Sequence, residues 1–265
     1  MSLSVVIPTY EYYGIGDQLL NNLLSSISRQ TYIPSEIIIS DHSKDFEVQK
    51  ICKKNNLNLP IKYYKCTKFR GNPSYNLNFG ISKCSGGIIK VMFQDDLFYD
   101  KSALELIYSE FQNPISWLLC GCNHTDDNGN SFYNDIFPKL RNDLLFGINK
   151  VSSPSVLAFR NKDFQNKSII FDENIFMLMD CDFYFNAWKV LGEPKYLKKI
   201  LVTNRIHDKQ CSRNYTGNFL REIIYCFRKF SVLPCPRYTA PLSFYIYKTL
   251  IFIFKKLKSL FFYFK

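Results

Sequence analysis

Apolar runs that alternate with helix-like stretches at short intervals constrain this chain more than any other feature. Leu3–Pro8, Glu36–Ser40, Ile61–Lys65 and Ile88–Phe93 each read as a strand, the first, second and fourth buried on both faces. Between them, Leu19, Leu20, Leu23, Leu24 and Ile27 recur at helical spacing within Ile15–Arg29, and Asp45–Asn55 and Asn72–Cys84 complete the series. A β-α-β-α-β-α-β order with short connections predicts an α/β fold: a mostly parallel sheet with helices on both faces. Ser102–Phe111 adds a helix and Trp117–Cys122 a further strand. No Gly-x-Gly-x-x-Gly follows the first strand and no Gly-Lys-Ser/Thr loop occurs, which argues against a dinucleotide fold and a P-loop. Beyond Asn123 the pattern loosens into an apolar run at Val156–Phe159, a helix over Asp180–Val190 and an extended stretch over Tyr196–Ile206.

The fourth run ends in Phe93-Gln94-Asp95-Asp96. Two adjacent carboxylates leaving a core strand repel each other and lose hydration, a cost that a bound Mg²⁺ or Mn²⁺ removes. The carboxyl edge of a sheet is also where open α/β folds bind ligands. A solvated Asp-Asp turn is the plainer alternative for this dipeptide taken alone.

Nine cysteines, odd in number, are scattered through mostly apolar segments, and no secretory signal precedes Ser4-Val5-Val6-Ile7. The expectation is a reduced, cytoplasmic chain with buried thiols. Cys120-Gly121-Cys122 has no second closely spaced Cys or His pair to complete a zinc site. Lys and Arg exceed Asp and Glu by 34 to 23, so the partners this charge admits are nucleic acid, an anionic membrane or phosphate-bearing substrates.

The order of several motifs separates these. Ser4-Val5-Val6-Ile7-Pro8-Thr9-Tyr10 opens the chain; Glu36-Ile37-Ile38-Ile39-Ser40-Asp41-His42-Ser43-Lys44-Asp45 follows one helix later. Asn78-Phe79-Gly80-Ile81, Cys84-Ser85-Gly86 and Gln94-Asp95-Asp96 come next. Over roughly the first hundred residues this series resembles the nucleotide-sugar-binding half of family 2 glycosyltransferases with the GT-A fold. The resemblance implies that Pro8, Thr9, Tyr10 and Glu11 wall the nucleotide pocket and that Asp41 meets the base with Ser43 nearby. It implies that Arg70, Asn72, Asn76 and Gln94 contact the nucleotide sugar, and that Asp95 and Asp96 hold Mn²⁺ or Mg²⁺ against the diphosphate. The common family form is Asp-x-Asp-Asp; Phe93 stands where its first aspartate falls, so a ribose contact is lost.

In the second half, Phe171-Asp172-Glu173-Asn174 and Met179-Asp180-Cys181-Asp182-Phe183 resemble the segment carrying the family's catalytic base. At 3.6 residues per turn Asp180 and Asp182 point about 200° apart, so one of them serves; Asp180 matches the base and Asp182 a supporting role. Arg205-Ile206-His207-Asp208-Lys209-Gln210-Cys211-Ser212 matches a later His-x-x-Gln-x-Ser pattern, with His207 as a third metal ligand. Ser153-Pro154-Ser155 resembles a segment lining the sugar and acceptor cleft.

Residues 1–212 are therefore expected to form the GT-A domain, 1–100 as the nucleotide half and 101–212 as the acceptor half. Residues 213–265 form a basic extension. In it Leu250, Ile253, Phe254, Leu257, Leu260, Phe261 and Phe264 fall on one helical face, and Lys248, Lys255, Lys256, Lys258 and Lys265 lie largely opposite. Lysines recur too often for a bilayer-spanning helix, so an amphipathic helix in an anionic interface is expected, with packing on the core or a second subunit as the alternative. The combined expectation is a metal-dependent inverting transferase at the inner face of the cell membrane. It would move a sugar from a UDP-sugar to a lipid-linked glycan in surface-polysaccharide synthesis, without nucleic acid and with oligomerisation left open. A basic nucleic-acid-binding protein and a catalytically silent GT-A scaffold are the rival readings.

Overall fold

The computed structural model describes residues 1–126, 129–210 and 219–231. The first strands are β1 (Leu3–Thr9), β2 (Glu36–Asp41), β3 (Ile61–Lys65) and β4 (Ile88–Val91), followed by the two-residue β5 (Leu97–Phe98). Then come β6 (Trp117–Thr125), β7 (Ser131–Ile136), β8 (Leu157–Arg160) and β9 (Lys195–Arg205). The helices are α1 (Gly16–Ser28), α2 (Glu47–Lys54), α3 (Pro73–Ser82), α4 (Ala103–Glu110), α5 (Asn161–Asn166), α6 (Met179–Leu191) and α7 (Phe219–Ser231).

One sheet runs β3-β2-β1-β4-β8-β6-β9-β5, with β7 on β6. The first four strands are parallel, as the alternation requires. The second half is mixed. β8 enters antiparallel to both β4 and β6, β9 runs parallel to β6, and β5 pairs antiparallel with β9. β8 thus joins the two halves into one continuous sheet, and the expected largely parallel character is confined to the nucleotide half.

Val5, Val6, Ile7, Ile37, Ile38, Ile39, Ile88, Ile89 and Val91 are buried, because these strands carry layers on both faces. Helix α3 lies close on β1: a Cβ on Gly80 would meet Val6 Cγ2 at 2.7 Å and Ser40 Cβ at 3.1 Å. Asn72 caps that helix by accepting from Tyr75 N at 3.0 Å, with Pro73 in its first turn. The turn leading into α6 is held from outside its own segment: Glu222 Oε2 of α7 accepts from Met177 N at 2.8 Å and Leu178 N at 3.0 Å.

Helix α7 lies beyond the expected boundary at 212, yet its Ile223, Cys226 and Phe230 are buried in the same core as the strands. The expected apolar face from Leu250 to Phe264 falls outside the described residues. Among the described residues no helix is long and apolar enough to cross a membrane.

Candidate active site

A cavity of about 790 Å³ opens where β1 and β4 end. β4 leaves its ladder just before the acidic doublet. Met92 N still donates to Val6 O at 3.0 Å, but Phe93 N turns away to Ser155 Oγ at 2.8 Å. Asp96 N then closes a turn on Phe93 O at 3.1 Å, and both carboxylates reach the cavity wall with Phe93 beside them.

Pro8, Thr9 and Tyr10, at the end of β1, line one side together with Asn76 of α3. Asn76 is fixed from both ends, donating to Thr9 O at 3.1 Å and accepting from Ser40 Oγ at 2.5 Å. Gln94 does not line the cavity. It is a strut that accepts from Tyr10 N at 2.7 Å and donates to Gly16 O. The Arg70 guanidinium lies 4.9 Å from the Tyr10 ring centre and pairs with Glu11, and neither of these two lines the cavity.

Asp41 is fully buried and saturated. Oδ1 accepts from Ser43 N at 2.8 Å and Thr9 Oγ1 at 3.3 Å, and Oδ2 accepts from Tyr63 OH at 2.8 Å and Lys65 Nζ at 2.9 Å. Its carboxylate organises the pocket floor from behind, and His42, its neighbour, is the residue on the lining. Ser43 Oγ is buried without a hydrogen-bond partner. Asn72, besides capping α3, donates to Glu173 O at 2.7 Å, tying the nucleotide half to the segment before α6.

At the acidic end, His207 Nε2 lies 3.3 Å from Asp95 Oδ2, while Asp96 Oδ2 accepts from Ser153 Oγ at 3.0 Å. Burial, together with the Asp95 charge beside it, pushes the Asp96 carboxyl up to about 7. His207 Nδ1 is buried and unpartnered. The expected trio does not form a ready-made cage: among the described residues no three His, Cys, Asp or Glu side chains are set to hold an ion. Two carboxylates, one of them raised by burial and by its neighbour's charge, nevertheless suit a hard ion that completes its shell with phosphate oxygens and water.

Asp180, in the first turn of α6, faces the same cavity. Its Oδ2 accepts from Asn149 Nδ2 at 2.6 Å and its Oδ1 from Cys181 N at 2.7 Å, and burial pushes it up to about 6. Asp182 points elsewhere, as the helical spacing requires: both its oxygens lie 2.8 Å from Lys229 Nζ of α7.

Several site residues were not expected from sequence. Asn149 accepts from Val151 N at 2.8 Å and Ser152 N at 3.0 Å, folding residues 149–153 into a tight loop. That loop touches both acidic centres, Asp180 through Asn149 and Asp96 through Ser153. Ser152 adopts a φ of 99° within it and accepts from Asn204 Nδ2 at 2.7 Å. Lys90, in β4, is fully buried against the segment that follows the loop, donating to Ser155 O and, at 3.4 Å, to Leu157 O; burial lowers it to about 8. A lysine inside Ile88-Ile89-Lys90-Val91-Met92 was the available signal for it. Lys209 is the one lysine or arginine among the described lining residues, reaching Tyr13 O at 3.2 Å across the mouth.

The cavity thus joins a β1 wall, a carboxylate pair and a separate carboxylate raised toward neutral pH. The family model for Glycosyl transferase family 2 matches residues 4–185. The O-antigen biosynthesis glycosyltransferase WbnJ of Escherichia coli is 25% identical over 226 residues, spanning 80% of this chain and 82% of that one. The fold is shared with S. aureus TarS 1-349 in complex with UDP-GlcNAc (TM-score 0.68, 19% identity, 88% of this chain and 66% of that one). It is also shared with the mannosyltransferase PcManGT of Pyrobaculum calidifontis in complex with GDP-Man and Mn²⁺ (TM-score 0.54, 16% identity, 77% and 56%). The chain belongs to glycosyl transferase family 2, with the GT-A fold.

Proposed function

We propose that this glycosyltransferase moves a sugar from a nucleotide diphosphate donor, a UDP-sugar, to a lipid-linked glycan in surface-polysaccharide synthesis, with inversion and with a divalent cation. The observation that carries the reading is that Asp95, Asp96 and Asp180 line one cavity at the carboxyl ends of β1 and β4. The E. coli relative's role in O-antigen biosynthesis and the UDP-GlcNAc and GDP-Man complexes of the structural neighbours support the donor and acceptor classes.

In this reading Tyr10, Thr9 and Asn76 seat the nucleoside, and Lys209 adds positive charge at the mouth. Asp95 and Asp96 would hold Mg²⁺ or Mn²⁺, with His207 orienting Asp95. Such an ion supplies charge neutralisation for a departing diphosphate. Asp180 takes the proton of the acceptor hydroxyl while that oxygen forms its bond to the anomeric carbon. The bond from that carbon to the diphosphate breaks on the opposite face, so the configuration inverts. Asn149 orients Asp180 for this, because its amide fixes Oδ2.

The test is donor binding and transfer with a panel of nucleotide sugars, with and without Mn²⁺. Asp96→Ala is expected to lose cation-dependent donor binding. Asp180→Ala is expected to keep donor binding and lose transfer by at least about 100-fold. Undiminished turnover in either variant overturns the role assigned to that residue.

A further inference from the structure

Helix α7 has two apolar faces. Ile223, Cys226 and Phe230 point into the core, whereas Leu220 is 48% exposed, Ile224 43% and Phe227 36%. With Arg221, Arg228 and Tyr225, these exposed positions fall within an arc of about 160° at 3.6 residues per turn. Of the helix's own residues, that arc holds apolar side chains beside two arginines and no carboxylate; at its edge Tyr225 OH donates to Asp172 Oδ2 at 3.0 Å, and Glu222, the helix's one acid, is turned inward onto Met177 N and Leu178 N. Lys229 is held by Asp172 and Asp182 at 2.8 Å each, so the inward face is clamped and the arc has a fixed orientation.

The arc also has a fixed relation to the site. Glu222 grips the amides of Met177 and Leu178, next to Met177, Met179 and Asp180 on the cavity wall. Phe227 meets Phe146, with ring centres 6.4 Å apart, and Phe146 precedes the loop that carries Asn149.

We propose that this outward arc is a docking surface for an anionic lipid bilayer, which sets the acceptor side of the cavity against the membrane. The proposal deepens the reading of a lipid-linked acceptor and rests on it. Apolar side chains flanked by arginine are the pattern by which a helix lies in a headgroup region. The chain that continues from α7 favours the same occupant, since residues 232–265 contain Arg237, Lys248, Lys255, Lys256, Lys258 and Lys265 and no Asp or Glu.

The experiment compares the full chain with Leu220→Ser/Ile224→Ser, which leaves the inward face and the cavity intact. Partition is read by co-sedimentation with vesicles of phosphatidylglycerol and phosphatidylcholine, against phosphatidylcholine alone. The wild type is expected to bind the anionic vesicles selectively, and the variant to bind them at least tenfold more weakly, with unchanged melting temperature and donor hydrolysis. Equal binding by the variant overturns the assignment of this face while leaving membrane attachment standing. A wild type that ignores anionic vesicles overturns the face and the membrane reading together, although the transferase assignment survives. A dimeric wild type whose variant is monomeric, with vesicle binding unchanged, identifies a second copy as the occupant and also overturns the proposal.

Discussion

Asp180 shows how one residue's surroundings fix its role. A carboxyl in water titrates near 4, where it is a weak base; burial moves this one up to about 6. The hydrogen bonds from Asn149 and from Cys181 N act in the opposite sense and keep it from rising further. Because the folded value lies above the unfolded one, protonated Asp180 favours the fold at low pH, and that contribution is lost as pH rises through about 6. In the base role proposed for it, activity runs the other way, since a base must be ionised. Transfer is therefore expected to rise with pH along a limb centred near 6, measured as kcat/KM against pH. Asn149→Ala removes a donor from the ionised form, so the limb should shift upward and kcat should fall more than donor affinity does. A limb that stays in place means that the amide does not tune the base. Neither partner's role is local in sequence: Asn149 and Asp180 lie 31 positions apart, and nothing around Asn149 marks it. The place of Asp180 on the cavity wall was legible because it sits beside a helix start with a matching motif, whereas Asn149 became visible only through the fold.

At the scale of elements, legibility follows burial. β1, β2 and β4 are covered on both faces, so apolar residues dominate their sequences and their positions follow directly from the pattern. β5 is two residues long and β7 joins only β6, so neither leaves a periodic signal. The antiparallel entry of β8 between β4 and β6 was not legible either, because strand order beyond the regular repeat is decided by long-range pairing rather than by spacing. Between these extremes stands Gly80, which belongs to a recognisable motif but whose reason is geometric. Its missing side chain allows α3 to approach β1 and brings Asn76 to Thr9. Gly80→Ala should therefore destabilise the fold by about 1–3 kcal/mol through overpacking, despite the helical preference for alanine. Denaturant unfolding measures the loss. Donor affinity should fall as well, because the lifted helix carries Asn76; an unchanged midpoint would show that the sheet yields without strain.

For the molecule as a whole, the question is where the folded body ends. A break at 212 suits the motifs, since the last of them, His-x-x-Gln-x-Ser, closes there. The physics of α7 favours a later limit. Three of its side chains are buried in the common core, and burial of Ile223 and of Phe230 is worth about 1.5–3 kcal/mol each. Lys229 neutralises Asp182, which is inaccessible to water; removing the ammonium alone would leave a buried charge, at a cost of about 3–5 kcal/mol. Glu222 satisfies two amides at the start of the helix that bears Asp180. A chain ending at Ser231 is therefore expected to unfold cooperatively and to retain donor hydrolysis. A chain ending at Ser212 should lose at least about 3 kcal/mol and most of its activity, as the first turn of α6 loosens. Within the longer chain, Lys229→Met should reproduce much of that loss, and Lys229→Met with Asp182→Asn should recover part of it, because the buried charge is then gone. Equal denaturation midpoints for the two truncations would make α7 an appendage to the rest of the fold, and the proposed coupling between its outward arc and Asp180 would fall with it.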